Sequence, residues 1–156
     1  MAKKFDSGKT DSKERAARKH VKKCLYAYNQ LKENVERYKK DIEDLKKEDL
    51  NHSTSIVLVN AGGQRLTVEE RREAKILNIK LQIERDQQAI NKIDKALNEI
   101  KNDEYSGALR LIYFENLSQM VVAQKMHCDK TTLWRHVSRL IDILAILLYG
   151  ADAIEI

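Results

Sequence analysis

From Ala17 to Leu45 the apolar residues recur at alternating intervals of three and four. Val21, Tyr28, Val35 and Ile42 occupy one heptad position and Ala17, Cys24, Leu31, Tyr38 and Leu45 the other. All nine therefore share one narrow stripe of a helix, with Lys, Glu, Arg and Asp filling the remaining surface. No proline and only five glycines occur in 156 residues, so long unbroken helices are permitted and an all-β fold is disfavoured. Asp11 and Ser12, with Glu14 behind them, offer a cap for the helix start.

A second helix of the same kind is expected after Thr67-Val68-Glu69-Glu70, a capping box in which Thr67 and Glu70 satisfy each other's backbone amides. Ile76, Ile79, Ile83, Ile90, Ile93, Leu97 and Ile100 keep the three-four spacing, with Asp86 as the one polar residue on the seam. Asp86 fits either a solvated gap or ion pair, or a polar residue that sets register. Two such helices joined by a compact loop fold most simply into an antiparallel hairpin, and Leu77, Leu81 and Leu25 are left over to bind a second chain. Between the helices, Ser53 to Val59 is β-branched and apolar and Asn60-Ala61-Gly62-Gly63 is a turn signal, so 51–66 reads as a loop or as a short strand or small β-hairpin near 55–66. No Lys-Ser/Thr pair follows those glycines, which leaves a plain turn and not a phosphate loop.

The last third reads as three short helices. Ser106 is placed to cap Gly107 to Glu115, with Leu109, Ile112 and Tyr113 on its apolar face, and Ser118 to cap Gln119 to Met126, with Val122, Ala123 and Met126 inward. The small Ala123 suits the close crossing of two helices. Met126 to Asp129 is the turn, and Asp129 caps a third helix from Lys130. Leu133, Val137, Leu140 and Leu144 form its buried side; Thr131, Thr132, Arg135, Ser138 and Arg139 point away, flanked by Lys130 and His136. Hydroxyls near a helix start and two arginines able to grip guanine bidentately make that face suited to reading DNA in the major groove. Trp134, on the boundary, is expected as a packing anchor. Ile141 to Tyr149 has almost no polar face, so the end of the helix needs cover from the arm, a partner subunit or both.

The pattern Leu117-Ser118, Val122-Ala123, Met126, Asp129-Lys130-Thr131-Thr132-Leu133-Trp134-Arg135-His136 resembles the helix-turn-helix of sigma-factor region 4. Its continuation through Leu140-Ile141-Asp142 to Leu147-Leu148-Tyr149-Gly150 is similar to the phage-encoded late transcription regulators of the ArpU and RinA type. The likeness covers residues 105–150 and reaches the helical arm only in general character. It implies a phage or prophage activator that binds upstream of late genes and acts with host RNA polymerase. On this resemblance Lys130, Thr131, Thr132, Arg135, His136 and Arg139 become the DNA contacts. The chain departs from the pattern at His127, where such turns usually carry glycine because the backbone there often needs positive φ.

Charge points the same way. The net charge is +5, yet residues 1 to 23 alone hold nine Lys/Arg against three acids, so the basic surplus is N-terminal. Arg15, Arg18, Lys19 and Lys22 are candidate phosphate contacts there, with Ser118 and Gln119 near the turn. Cys24 and Cys128 lack the spacing of a disulfide framework or zinc site, His127, Cys128 and His136 do not make a ligand set, and no catalytic constellation occurs. Neither enzymatic activity nor a cofactor is expected. A reduced, cytoplasmic protein without signal peptide or membrane span is expected.

The fold class expected is mainly α: a flexible basic N-terminus at 1–10, a helical coiled-coil hairpin arm at 11–104, a helix-turn-helix domain at 105–150 and a tail at 151–156. The function expected is a homo-oligomeric regulator binding double-stranded DNA. A second reading is a phage terminase small subunit recognising packaging DNA, which also joins this motif to coiled-coil helices. A third is a coiled-coil interaction protein whose last domain binds protein.

Overall fold

The computed structural model describes residues 7–48 and 66–153, with side chains from residue 16 onward. Helices α1 (Ser7–Glu48), α2 (Val68–Glu99) and α3 (Ser106–Leu109) are followed by a π-helical turn (Arg110–Phe114), α4 (Gln119–Lys125), α5 (Lys130–Tyr149) and a 3-10 turn (Gly150–Ala153). No strand occurs among the described residues, so the mainly α expectation holds. The β-hairpin near 55–66, the Asn60–Gly63 turn and the side chains of Asp11, Ser12 and Arg15 lie outside the described residues. No helix among the described residues is long and apolar enough to cross a membrane.

Local signals set most of the helix ends. At the start of α2 the Glu70 amide donates to Thr67 Oγ1 at 3.1 Å and the Thr67 amide to Glu70 Oε2 at 2.7 Å, the expected capping box. Helix α1 begins at Ser7, ahead of the expected Asp11–Ser12 cap. A single glycine, Gly8, costs only about 1 kcal/mol in a helix and does not stop propagation from a long nucleated segment. Ser106 is also corrected. It is the first residue of α3, not its cap, and its hydroxyl donates to the Lys101 carbonyl at 3.2 Å.

The chain divides into two compact units, and the boundary runs through both long helices. One unit is Gln30–Ile90. Within it the stripe residues Val35, Ile42 and Ile90 are buried, Leu31, Tyr38, Leu45, Ile76, Ile79, Ile83 and Asp86 are half-buried, and Leu77 and Leu81 are exposed.

The other unit joins α1 up to Asn29 to the chain from Asn91 onward. Its core takes Ala17, Val21, Leu25 and Tyr28 from α1 and Ile93, Ala96, Leu97 and Ile100 from α2. Leu109, Ile112, Tyr113, Val122 and Ala123 come from the segments that follow, and Leu133, Val137, Leu140, Ile141, Leu144, Ala145 and Leu148 from α5. The four residues predicted for the inner side of α5 are all there. Leu25 is a correction: it is only 1% exposed and therefore not available to a second chain. It sits beside the heptad stripe and widens it, because this part of α1 packs into a globular core and not along a two-helix seam.

Polar ties surround the apolar end of α5. Arg18 meets Asp142 with Nε and Nη2 at 2.5 and 2.8 Å, Cys24 Sγ and Tyr149 Oη share a hydrogen bond of 3.3 Å, and Lys92 lies 5.4 Å from the Tyr149 ring centre. Tyr28 donates to Asp94 at 2.5 Å and stacks on Phe114, and Tyr113 meets Tyr26 edge-on. Apolar burial is the larger contribution. Each fully buried Leu or Ile adds roughly 1.5–3 kcal/mol, whereas the partly exposed Arg18–Asp142 pair adds about 1 kcal/mol at most. Ile146 and Leu147 stay exposed on the outer side of α5.

Candidate nucleic-acid interface

The geometry between α4 and α5 is built by backbone hydrogen bonds at each end of a short turn. Ser118 caps α4, accepting the Val121 amide at 3.3 Å, and Asp129 caps α5, accepting the Thr132 amide at 2.8 Å, as its sequence predicts. Helix α4 ends with the Cys128 amide donating to the Ala123 carbonyl at 3.0 Å and the His127 amide to that of Gln124 at 3.2 Å. This paired closure requires a left-handed residue between them. His127 fills that place with φ +53°. Histidine is among the non-glycine residues that tolerate the left-handed region best, so the turn keeps its usual shape without glycine. Val122 and Ala123 are buried where α4 meets the core, and only a residue as small as Ala123 allows close approach there.

The predicted contact residues on α5 fall into two groups. Lys130, Thr131 and Arg135 are exposed along its first turns. The others are already engaged. Thr132 is half-buried and its hydroxyl donates to Asp129 Oδ2 at 2.8 Å, so it completes the cap. The His136 ring stacks on Tyr105 with centroids 3.9 Å apart and planes 3° from parallel. Arg139 Nη2 donates to Asp103 Oδ2 at 2.8 Å.

Among the candidate phosphate contacts, Gln119, Lys19 and Lys22 are exposed, and Ser118 is exposed while its hydroxyl serves the α4 cap. Arg18 is committed to Asp142.

Trp134 is a further correction. Its side is 58% exposed, where a packing anchor was expected. The core-facing arc of α5 is centred on Leu133, Val137, Leu140 and Leu144, and Trp134 lies outside that arc, one turn from Lys130 and Ser138.

Asp103 and Tyr105 were not anticipated as part of this surface. They lie in the turn between α2 and α3, where Asp103 Oδ1 accepts the Tyr105 amide at 2.9 Å. That local loop is readable from an Asp in a polar turn. Its pairing with Arg139 across 36 residues of chain is not. Burial raises the Asp103 carboxyl, but the Tyr105 amide and the Arg139 guanidinium outweigh it and hold the group below the ordinary carboxylate value. Asp129 is likewise held low, chiefly by the Thr132 amide and hydroxyl.

No family model matches the chain, and neither a curated relative nor a solved structure does.

Proposed function

We propose that the protein binds duplex DNA by inserting the first turns of α5 in the major groove, with α4 crossing above as the first helix of a helix-turn-helix. What supports this is the exposure of Lys130, Thr131 and Arg135 together at the N-terminal end of a helix whose opposite side is wholly buried. A recognition helix offers its N-terminal residues to base edges, and an arginine there reaches guanine O6 and N7 bidentately. Lys19 and Lys22 on α1 add exposed positive charge for sequence-independent phosphate contact. Arg139 and His136 act at the edge of the surface, since both are held by Asp103 and Tyr105.

In this reading the long helices form a hairpin arm that holds two or more copies so that their recognition helices address separate half-sites. The residue resemblance over 105–150 extends the proposal to a transcription regulator that activates phage late genes with host RNA polymerase.

Selection of bound duplexes from a randomised library, followed by footprinting, tests it. Recovery of a defined site is expected. Arg135→Ala should weaken that site by roughly 1–3 kcal/mol and leave scrambled duplex less affected; equal loss on both would remove direct base readout. A ring of about eight or more copies on packaging DNA would favour a terminase small subunit.

A further inference from the structure

Trp134 is the chain's only tryptophan, and it stands 58% exposed on the same turns of α5 as Lys130 and Arg135. Among the described residues it takes part in no ring stacking or cation–π contact, although Tyr105, Tyr113, Tyr28 and Tyr149 all do. Leaving more than half of so large an apolar residue in water forgoes most of the stabilisation that its burial would supply. Solvation of a flank does not require an indole. Any lysine or glutamate would serve there at no cost. Trp134 lies one turn after Lys130 and next in the chain to Arg135, both exposed, so its surroundings suit a polyanion with an apolar feature.

We infer that Trp134 is a specificity-determining residue that packs its indole on the 5-methyl group of a thymine in the major groove. The inference rests on the duplex-binding reading above. The methyl group is the one apolar mark on the major-groove edge of a base pair, and it lies toward the groove wall. A helix seated with Thr131 and Arg135 toward the groove floor turns a flanking side chain to that wall. Trp134 holds such a flanking place, off the pole defined by Thr131 and Arg135 and on the side opposite His136, whose ring is taken by Tyr105. Arg135 then reads a guanine and Trp134 an adjacent thymine, so a G-T combination in each half-site is specified by neighbouring residues.

The experiment uses the full-length chain and its selected duplex, with each thymine replaced in turn by uracil, which keeps all hydrogen bonds and removes only the methyl. Wild type should lose roughly fourfold in affinity at one thymine per half-site, the worth of one buried methyl group, and Trp134→Ala should bind the thymine and uracil duplexes equally. Trp134→Phe should restore the methyl preference. Intrinsic fluorescence, which reports Trp134 alone, should shift on binding the thymine duplex and shift less on the uracil duplex. If wild type and Trp134→Ala lose the same factor on uracil replacement, or neither loses any while duplex is still bound, the thymine contact is overturned and duplex binding stands. If no duplex is selected at all, both fall.

Discussion

The Arg139 guanidinium lies 2.8 Å from the Asp103 carboxylate, so the turn after α2 holds a cation of the proposed DNA surface. One turn back on α5, the Tyr105 ring covers His136. Asp103 and Tyr105 therefore fix two side chains of α5 before any ligand arrives, and Asp103 competes with phosphate for one of them.

Asp103→Asn keeps an acceptor for the Tyr105 amide and removes the charge that neutralises Arg139. Affinity for scrambled duplex should rise several-fold at low salt, and the slope of log affinity against log salt should steepen by about 1. Because the Arg139 side of the pair is 46% exposed, unfolding free energy should fall by less than about 1 kcal/mol. Fluorescence anisotropy across a salt series and urea unfolding check the two parts.

His127 sits at φ +53°, a conformation that costs a non-glycine residue roughly 1–2 kcal/mol. Glycine removes that cost and returns part of it as unfolded-chain entropy, so His127→Gly should stabilise the protein by about 0.5–1 kcal/mol. His127→Val, branched at Cβ, should destabilise it by at least about 1 kcal/mol. The urea midpoint at constant slope reads both.

The lowered carboxyls of Asp103 and Asp129 give acid unfolding a definite direction. Both groups ionise more readily folded than unfolded, so the unfolded chain binds more protons near their ordinary value of 3.8. Their stabilisation is present above that pH and is lost as pH falls through the lower folded values. The unfolding temperature should drop as pH goes from 6 to 3. Asp129→Asn, which keeps a capping side chain, should flatten that drop and alter stability little at pH 3.

Tyr113 and Tyr149 are pushed up to about 12, Tyr113 by burial and then by Tyr26, Tyr149 by burial and its hydrogen bond with Cys24. Of the six tyrosines, these two should ionise late in a titration followed at 295 nm. The neutral phenols are favoured by the fold, so this contribution is whole below the ordinary value near 10 and declines as pH rises toward 12. Cys24→Ala should bring the Tyr149 transition down and leave that of Tyr113 in place.

Much of the site was legible residue by residue. Ser118, Asp129 and the Thr67–Glu70 pair make the hydrogen bonds their positions announce, because a cap involves a side chain and an amide three residues away. Leu133, Val137, Leu140 and Leu144 are buried because helical period alone puts them on one side. The state of the outward side chains was not legible in the same way. His136 and Arg139 share the polar side of α5 with Thr131 and Arg135, yet each has a partner on the turn after α2. Nothing in periodicity identifies Tyr105 or Asp103 as that partner.

The chain by itself determined its two long helices, the turn at His127 and the inner side of α5, since all of these follow from hydrogen bonds and apolar spacing within a few residues. Only the tertiary structure decided that Leu25 goes inward while Trp134 goes outward, that Arg18 meets Asp142, and that Asp103 takes Arg139. Those outcomes depend on which elements happen to lie within about 4 Å of a side chain, and contacts between residues 36 or 124 apart leave no mark in local sequence.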